Sequence, residues 1–140
     1  MSKYKNNSIA KADNIMLKTL AMPSYRNVNG KIFGGWIMAQ MDLGGGILAK
    51  EISKGLVYTV SAQDINFIKP ISVGDVVTCY AQCIKMGNTS MTIQIEIWIK
   101  KMNPSSYGIS YCATTATFVY VSINEKGKPK LLSIINTAQK

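Results

Sequence analysis

Asp42 is the residue whose setting most demands a chemical explanation. It lies in the stretch Gly35 to Ala49, GWIMAQMDLGGGILA, where Gln40 is the only other polar side chain. An ionised carboxylate in apolar surroundings is costly unless it is paired or serves a site. At helical spacing its neighbours three and four residues away are Met38, Ala39, Gly45 and Gly46, and none of them is a cation. Its partner must come from another element or another subunit. Two readings follow: a carboxylate that is simply solvated or bonded to backbone amides, or one that works as general base or nucleophile.

A second feature precedes it on the same segment. Gly34 and Gly35 fall where the first free amides of a helix point outward, a place suited to an oxygen that gains negative charge during acyl transfer. A plain helix N-cap accounts for the two glycines as well. The chain has no histidine, which removes Ser-His-Asp and Cys-His nucleophilic systems together with the usual imidazole acid-base catalyst. Any catalysis must use carboxylates, amides or backbone dipoles. Cys79, Cys83 and Cys112 are odd in number and form no CxxC pair, so they read as core thiols, with neither a disulfide framework nor a metal site expected.

The elements that must position these groups follow from periodicity. Residues 1 to 13 are polar and mixed in charge and read as a loose leader before a strand from Ile15 to Met22. Turn formers crowd Pro23 to Gly30. The Gly34-Gly35 pair then opens a segment that reads as helical to about Lys54, with Gly55 as its C-cap. Its circumference is apolar or small, which predicts burial on most sides. Gly44, Gly45 and Gly46 each cost about 1 kcal/mol against alanine inside a helix, so another surface, a partner helix or a bound chain, is expected to approach there.

From Val57 the period becomes two. Met91, Ile93, Ile95, Ile97 and Ile99 alternate with mostly polar residues, the signature of an antiparallel strand buried on one side. Strands are also expected over Val57 to Phe67, Val76 to Met86 and Ser110 to Ile123, with Asn124 to Lys140 a polar turn and a weakly ordered tail. The 140 residues suit one domain, divided as a leader over 1 to 13, a folded body over 14 to 125 and a tail over 126 to 140. One apolar helix and about five strands imply an α+β fold in which a curved antiparallel sheet wraps the helix. Such a sheet leaves a long edge strand, so at least a dimer is expected.

Sixteen Lys plus Arg against seven Asp plus Glu give a formal charge of +9, scattered over the termini and turns. No basic amphipathic helix and no aromatic RNA-binding signature accompanies it, so neither nucleic acid nor a membrane is an expected partner. The apolar stretches are too short to span a bilayer, and the N-terminus lacks the apolar core of a signal peptide, so the expected location is the cytoplasm.

From about Leu20 to Pro129 the chain resembles bacterial acyl-CoA thioesterases of the hotdog fold, the group that also includes animal cytosolic acyl-CoA hydrolases. The matching residues are Ala21-Met22-Pro23, Asn27-x-x-Gly30, Ile32-Phe33-Gly34-Gly35-Trp36, Gln40-Met41-Asp42, Asn66-Phe67-Ile68-Lys69-Pro70 and Val73-Gly74-Asp75-Val76. The resemblance implies protomers paired edge to edge, active sites at the dimer interface, and frequent assembly into hexamers. It also implies that Asp42 is the essential carboxylate, that Asn27 helps hold the thioester or water, and that Gly35 supplies an oxyanion-hole amide. The chain departs from the family pattern at Tyr25-Arg26, where Asp-Thr is usual, and at Thr115 and Gln63, where acids are common, although Asp64 follows Gln63.

The activity implied is hydrolysis of an acyl-CoA thioester to free coenzyme A and a carboxylic acid, with no cofactor. Substrate contacts would come from Gly34, and the phosphates of coenzyme A could meet Lys69, Lys85 and the turn Gly87-Asn88-Thr89-Ser90. The alternative of a different class is a protein that binds acyl-CoA or an acyl carrier without turning it over.

Overall fold

The computed structural model describes residues 8–132, and within them one long helix is wrapped by a five-stranded antiparallel sheet. Strand β1 is Ile15–Leu20, helix α1 is Gly34–Ser53, and strands β2 to β5 are Leu56–Phe67, Val76–Met86, Ser90–Lys100 and Ser110–Ile123. The strand order is β1-β3-β4-β5-β2, so β1 and β2 form the two edges. This is the helix-wrapped sheet that the periodicity predicts.

The alternating isoleucines of β4 point at the helix. Met91, Ile93, Ile95 and Ile97 are fully buried, and with Ile37, Met41, Ala49, Val77, Phe118 and Tyr120 they make one continuous core. The expectation of a helix buried on most sides does not hold within one chain. Its buried residues, Trp36, Ile37, Met41, Gly44, Gly45, Ala49 and Ser53, lie along the sheet-facing side, while Leu43 and Ile47 on the other side remain exposed.

Several boundaries move for physical reasons. The first strand ends at Leu20 rather than Met22, because Pro23 starts a 3-10 turn over Pro23–Tyr25. The helix ends one residue before the expected glycine: Lys54 takes the left-handed conformation, φ 55°, and its N–H bonds the carbonyl of Lys50. Chain beyond Asn124 turns back, so that the Lys130 amide bonds Ser122 O and the Leu132 amide bonds Asn88 O, with Leu132 fully buried. Packing therefore reaches past residue 125, and past residue 14 at the other end, where Ile9 is buried. The remainder of the leader and tail, 1–7 and 133–140, lies outside the described residues.

Glu96, which alternation assigns to a polar outer face, is buried there. Its carboxylate accepts from Ser8 Oγ at 2.8 Å, Trp98 Nε1 at 2.9 Å and the Ile9 amide at 3.4 Å, which seats the start of the described chain on the outer face of the sheet. Thr115 stands directly opposite Glu96 in the β4–β5 ladder. An acid at position 115 would set two carboxylates against each other, and threonine avoids that repulsion.

Candidate active site around Asp42

Asp42 sits midway along α1, half-buried, facing the junction of β2 and β5. Thr59 on β2 and Tyr120 on β5 are directly paired across the ladder, so their side chains emerge on the same face. Both converge on the carboxylate. The Thr59 hydroxyl donates to Oδ1 at 2.6 Å, and the Tyr120 hydroxyl lies 3.0 Å from Oδ1 and 3.0 Å from the Asp42 carbonyl oxygen. The partner of Asp42 thus comes from other elements, as its helical neighbours require, and it is a pair of hydroxyls rather than a cation. No hydrogen bond falls on Oδ2 among the described residues.

The carboxylate opens into a cavity of about 260 Å³ whose lining includes Leu43, Ile47, Lys50, Tyr58 and Tyr120. Burial, and after it the Asp42 charge and hydrogen bond, pushes the Tyr120 phenol well above its ordinary range, so it remains an O–H donor. Burial also pushes the Cys79 thiol up to about 12. It does the same to Cys112, with the charge of Glu96 adding to the effect. Burial raises Cys83 as well, and all three thiols are free. Thiols held protonated in this way are poor nucleophiles near neutral pH, which fits their reading as core residues.

At the N-terminus of α1, Phe33 is extended and offers no side-chain cap. The Trp36 and Ile37 amides bond back to the Phe33 carbonyl, so the first helical amides, those of Gly34 and Gly35, face outward without a capping side chain. A methyl group on Gly34 would lie 3.1 Å from the Phe67 ring, and one on Gly35 would lie 3.3 Å from the Phe33 ring. Gly34 lines a second cavity, of about 430 Å³, together with Asn27, Phe67 and Lys69. Asn27 Oδ1 accepts from the Asn29 amide at 2.8 Å and the Lys31 amide at 3.1 Å, folding the loop into a tight turn at the cavity mouth. Tyr25, one of the departures from the family pattern, stacks on Trp36 at 4.8 Å between ring centroids and braces this loop.

The residues singled out from sequence therefore fall into three places. Asn27, Gly34 and Lys69 share the cavity at the helix N-terminus, with Gly35 beside it. Asp42 lines the other cavity. Seven residues of helix separate Gly35 from Asp42, about 10 Å of axial rise, so one chain cannot bring both within bonding distance of a single carbonyl group. Lys85, Asn88, Thr89 and Ser90 lie around the β3–β4 hairpin, at the end of the sheet opposite Lys69. Lys85 and Asn88 are exposed, and Lys69 rests over the Tyr111 ring at 4.8 Å.

Sequence reading missed Thr59 and Tyr120. The signal available was a tyrosine at the inward parity of β5, set with Phe118 and Ala116, beneath a helix whose glycines leave room for its hydroxyl. Among the described residues no group of three or more His, Cys, Asp or Glu gathers to hold a metal, and no helix is long and apolar enough to cross a membrane.

Comparison with known proteins agrees with this architecture. A family model described as the thioesterase superfamily matches residues 29–105. The chain is similar to the acyl-CoA thioester hydrolase YciA of Salmonella typhimurium, 52% identical over 120 residues that cover 86% of this chain and 90% of that protein. It superposes on a hexameric broad specificity acyl-coenzyme A thioesterase, solved with one aspartate replaced by alanine, with a TM-score of 0.83 at 53% identity, covering 84% of this chain and 85% of that one. A hexameric hotdog fold thioesterase of Campylobacter jejuni matches with a TM-score of 0.86 at 32% identity, covering 94% of this chain and 98% of that one. The fold, the matched family model and these relatives together establish that the chain belongs to the thioesterase superfamily and has the hotdog fold.

Proposed function

We propose that this chain is an acyl-CoA thioester hydrolase that works as a hexamer, with each active site shared between two protomers. The observation that carries the reading is the carboxylate of Asp42, held by two hydroxyls through Oδ1, with no hydrogen bond on Oδ2 among the described residues, in the lining of a cavity. Close relatives named as acyl-CoA thioester hydrolases and hexameric thioesterases support the substrate and the assembly.

The division of the site follows from reach. The helix N-terminus with Asn27 and the carboxylate at Asp42 are two halves that one chain holds apart. Edge strand β2 pairs only with β5 among the described residues and exposes Tyr58, Val60 and Phe67 along its length, and Tyr58, Leu43 and Ile47 give an exposed apolar surface beside the carboxylate. A second copy docked antiparallel along β2 would cover that surface and bring the helix N-terminus of one protomer toward Asp42 of the other. The thioester carbonyl would then accept from the Gly35 amide, with Asn27 orienting the thioester or the water. Asp42 either takes a proton from the attacking water or attacks the carbonyl itself, and coenzyme A thiolate leaves. Lys69, near the first cavity, and Lys85 with the Asn88-Thr89-Ser90 turn, at the far end of the sheet, are the groups available to the phosphates of coenzyme A.

Hydrolysis is measured as thiol release across a panel of acyl-CoA chain lengths. Turnover of at least one acyl-CoA is expected. Binding of acyl-CoA without thiol release would favour a carrier-binding protein instead. Mixing an Asp42→Asn variant with an Asn27→Ala variant tests the shared site: exchange of subunits should restore part of the activity that each lacks alone.

A further inference from the structure

We infer that Tyr120 is a positioning residue for Asp42, and that Gly45 exists to let its hydroxyl through. The inference rests on the reading of Asp42 as the reacting carboxylate. Tyr120 is almost completely buried on the inner face of β5, yet its hydroxyl emerges at the helix, 3.0 Å from two oxygens of the same residue, the Asp42 carbonyl and Oδ1. A hydroxyl in contact with both the backbone and the side chain of one aspartate restricts rotation about its Cα–Cβ bond. With Thr59 also on Oδ1, the carboxylate is turned so that Oδ2 is the oxygen left for chemistry.

The helix has to be cut away for this to happen. A methyl group on Gly45 would collide with the Tyr120 hydroxyl, and would lie 2.7 Å from Ile95 Cδ1 and 3.0 Å from Tyr120 Cε1. A methyl group on Gly44 would collide with Cys79 Sγ, whereas one on Gly46 meets nothing closer than Tyr120 Cε2 at 3.8 Å. The glycine run therefore has a division of labour. Gly44 admits the core thiol, Gly45 admits the hydroxyl that orients the carboxylate, and Gly46 faces open space beside the cavity.

The other titratable or charged groups near the carboxylate are Lys50 and Tyr58, which line the cavity, and Cys79, which lies close to Tyr120. Tyr120→Phe deletes the donor and keeps the ring. It should lower kcat about tenfold with KM changed less than about threefold. Gly45→Ala should show the same signature by displacing the hydroxyl. In the double variant the hydroxyl that the methyl would displace is already gone, so kcat should match Tyr120→Phe rather than fall by the product of the two effects, while the contact with Ile95 still lowers stability.

A Tyr120→Phe enzyme with an unchanged kcat, whatever its melting temperature, overturns the inference, as does multiplication of the two effects. If Tyr120→Phe does not fold, the fall in kcat against KM in Gly45→Ala decides. The NMR resonance of the Asp42 carboxyl carbon at one fixed pH, compared between wild type and Tyr120→Phe, reports loss of the hydrogen bond without turnover. A protein that releases no thiol from any acyl-CoA refutes the proposed function, whereas an Asp42 carboxyl resonance unmoved by the substitution refutes the positioning role alone.

Discussion

The hydroxyl of Thr59 donates a 2.6 Å hydrogen bond to Oδ1 of Asp42, so the free edge strand and the central helix meet at the carboxylate. The strand expected to pair with a second copy is thus the one that hydrogen-bonds the carboxylate proposed to react. Replacing Thr59 by valine keeps the branched shape and removes the donor. Hydrogen bonds to charged groups contribute roughly 1.5–3 kcal/mol, so kcat should fall by about ten- to a hundredfold if the bond matters mainly in the transition state. Steady-state kinetics on one good acyl-CoA substrate check this, and a Thr59→Val enzyme at wild-type kcat would show the contact to be incidental.

The glycine run makes a prediction about stability that propensity alone would get wrong. Gly46→Ala should raise stability by up to about 1 kcal/mol, because the methyl meets only ordinary contact and the helix gains propensity. Gly44→Ala and Gly45→Ala should lower it by about 1–3 kcal/mol, since each methyl enters occupied space in a packed core. Thermal or denaturant unfolding of the three variants separates the cases, and uniform stabilisation would contradict the close approach of Cys79 and Tyr120.

This same run shows what was legible in the sequence and what was not. Three glycines in an apolar helix announce that something comes close, and alternation from Met91 to Ile99 announces the sheet beneath. What approaches could not be read, because it depends on register: only the pairing of Thr59 with Tyr120 brings two hydroxyls under Asp42. Asp42 stood out because a charge is anomalous in an apolar segment. Tyr120 did not, because a tyrosine in a strand is ordinary. The burial of Glu96 on its assigned outer face is not legible for a related reason. Alternation assigns a face, and nothing local reveals that Ser8 and Ile9 fold back to cover that face. The apolar exterior of α1 reads as buried because periodicity cannot tell a helix face packed in the core from an apolar face left exposed, as at Leu43 and Ile47.

The buried proton-holding groups set the alkaline limit of the fold. Cys79 and Cys112 move from 9.0 to about 12 on folding, and Tyr120 is raised as well. Above the unfolded values the unfolded chain releases these protons while the folded protein keeps them. The stabilisation is therefore complete below about pH 9 and is lost progressively as the pH rises toward about 12. Melting temperatures recorded from about pH 8 to about pH 11 should fall, and the fall should be shallower in Cys112→Ala. An identical slope in that variant would mean that the thiol does not carry the effect.

Asp42 is the centre of the account, and its replacement by asparagine tests it most directly. The substitution keeps the size of the side chain and its oxygen acceptor for Thr59 and Tyr120, while removing the base and the nucleophile. Thiol release by Asp42→Asn should fall at least about a hundredfold, with KM changed only a few-fold and the oligomer intact by sedimentation. An Asp42→Asn protein that hydrolyses acyl-CoA at a rate near wild type would contradict the assignment of the reacting carboxylate and the mechanism built on it.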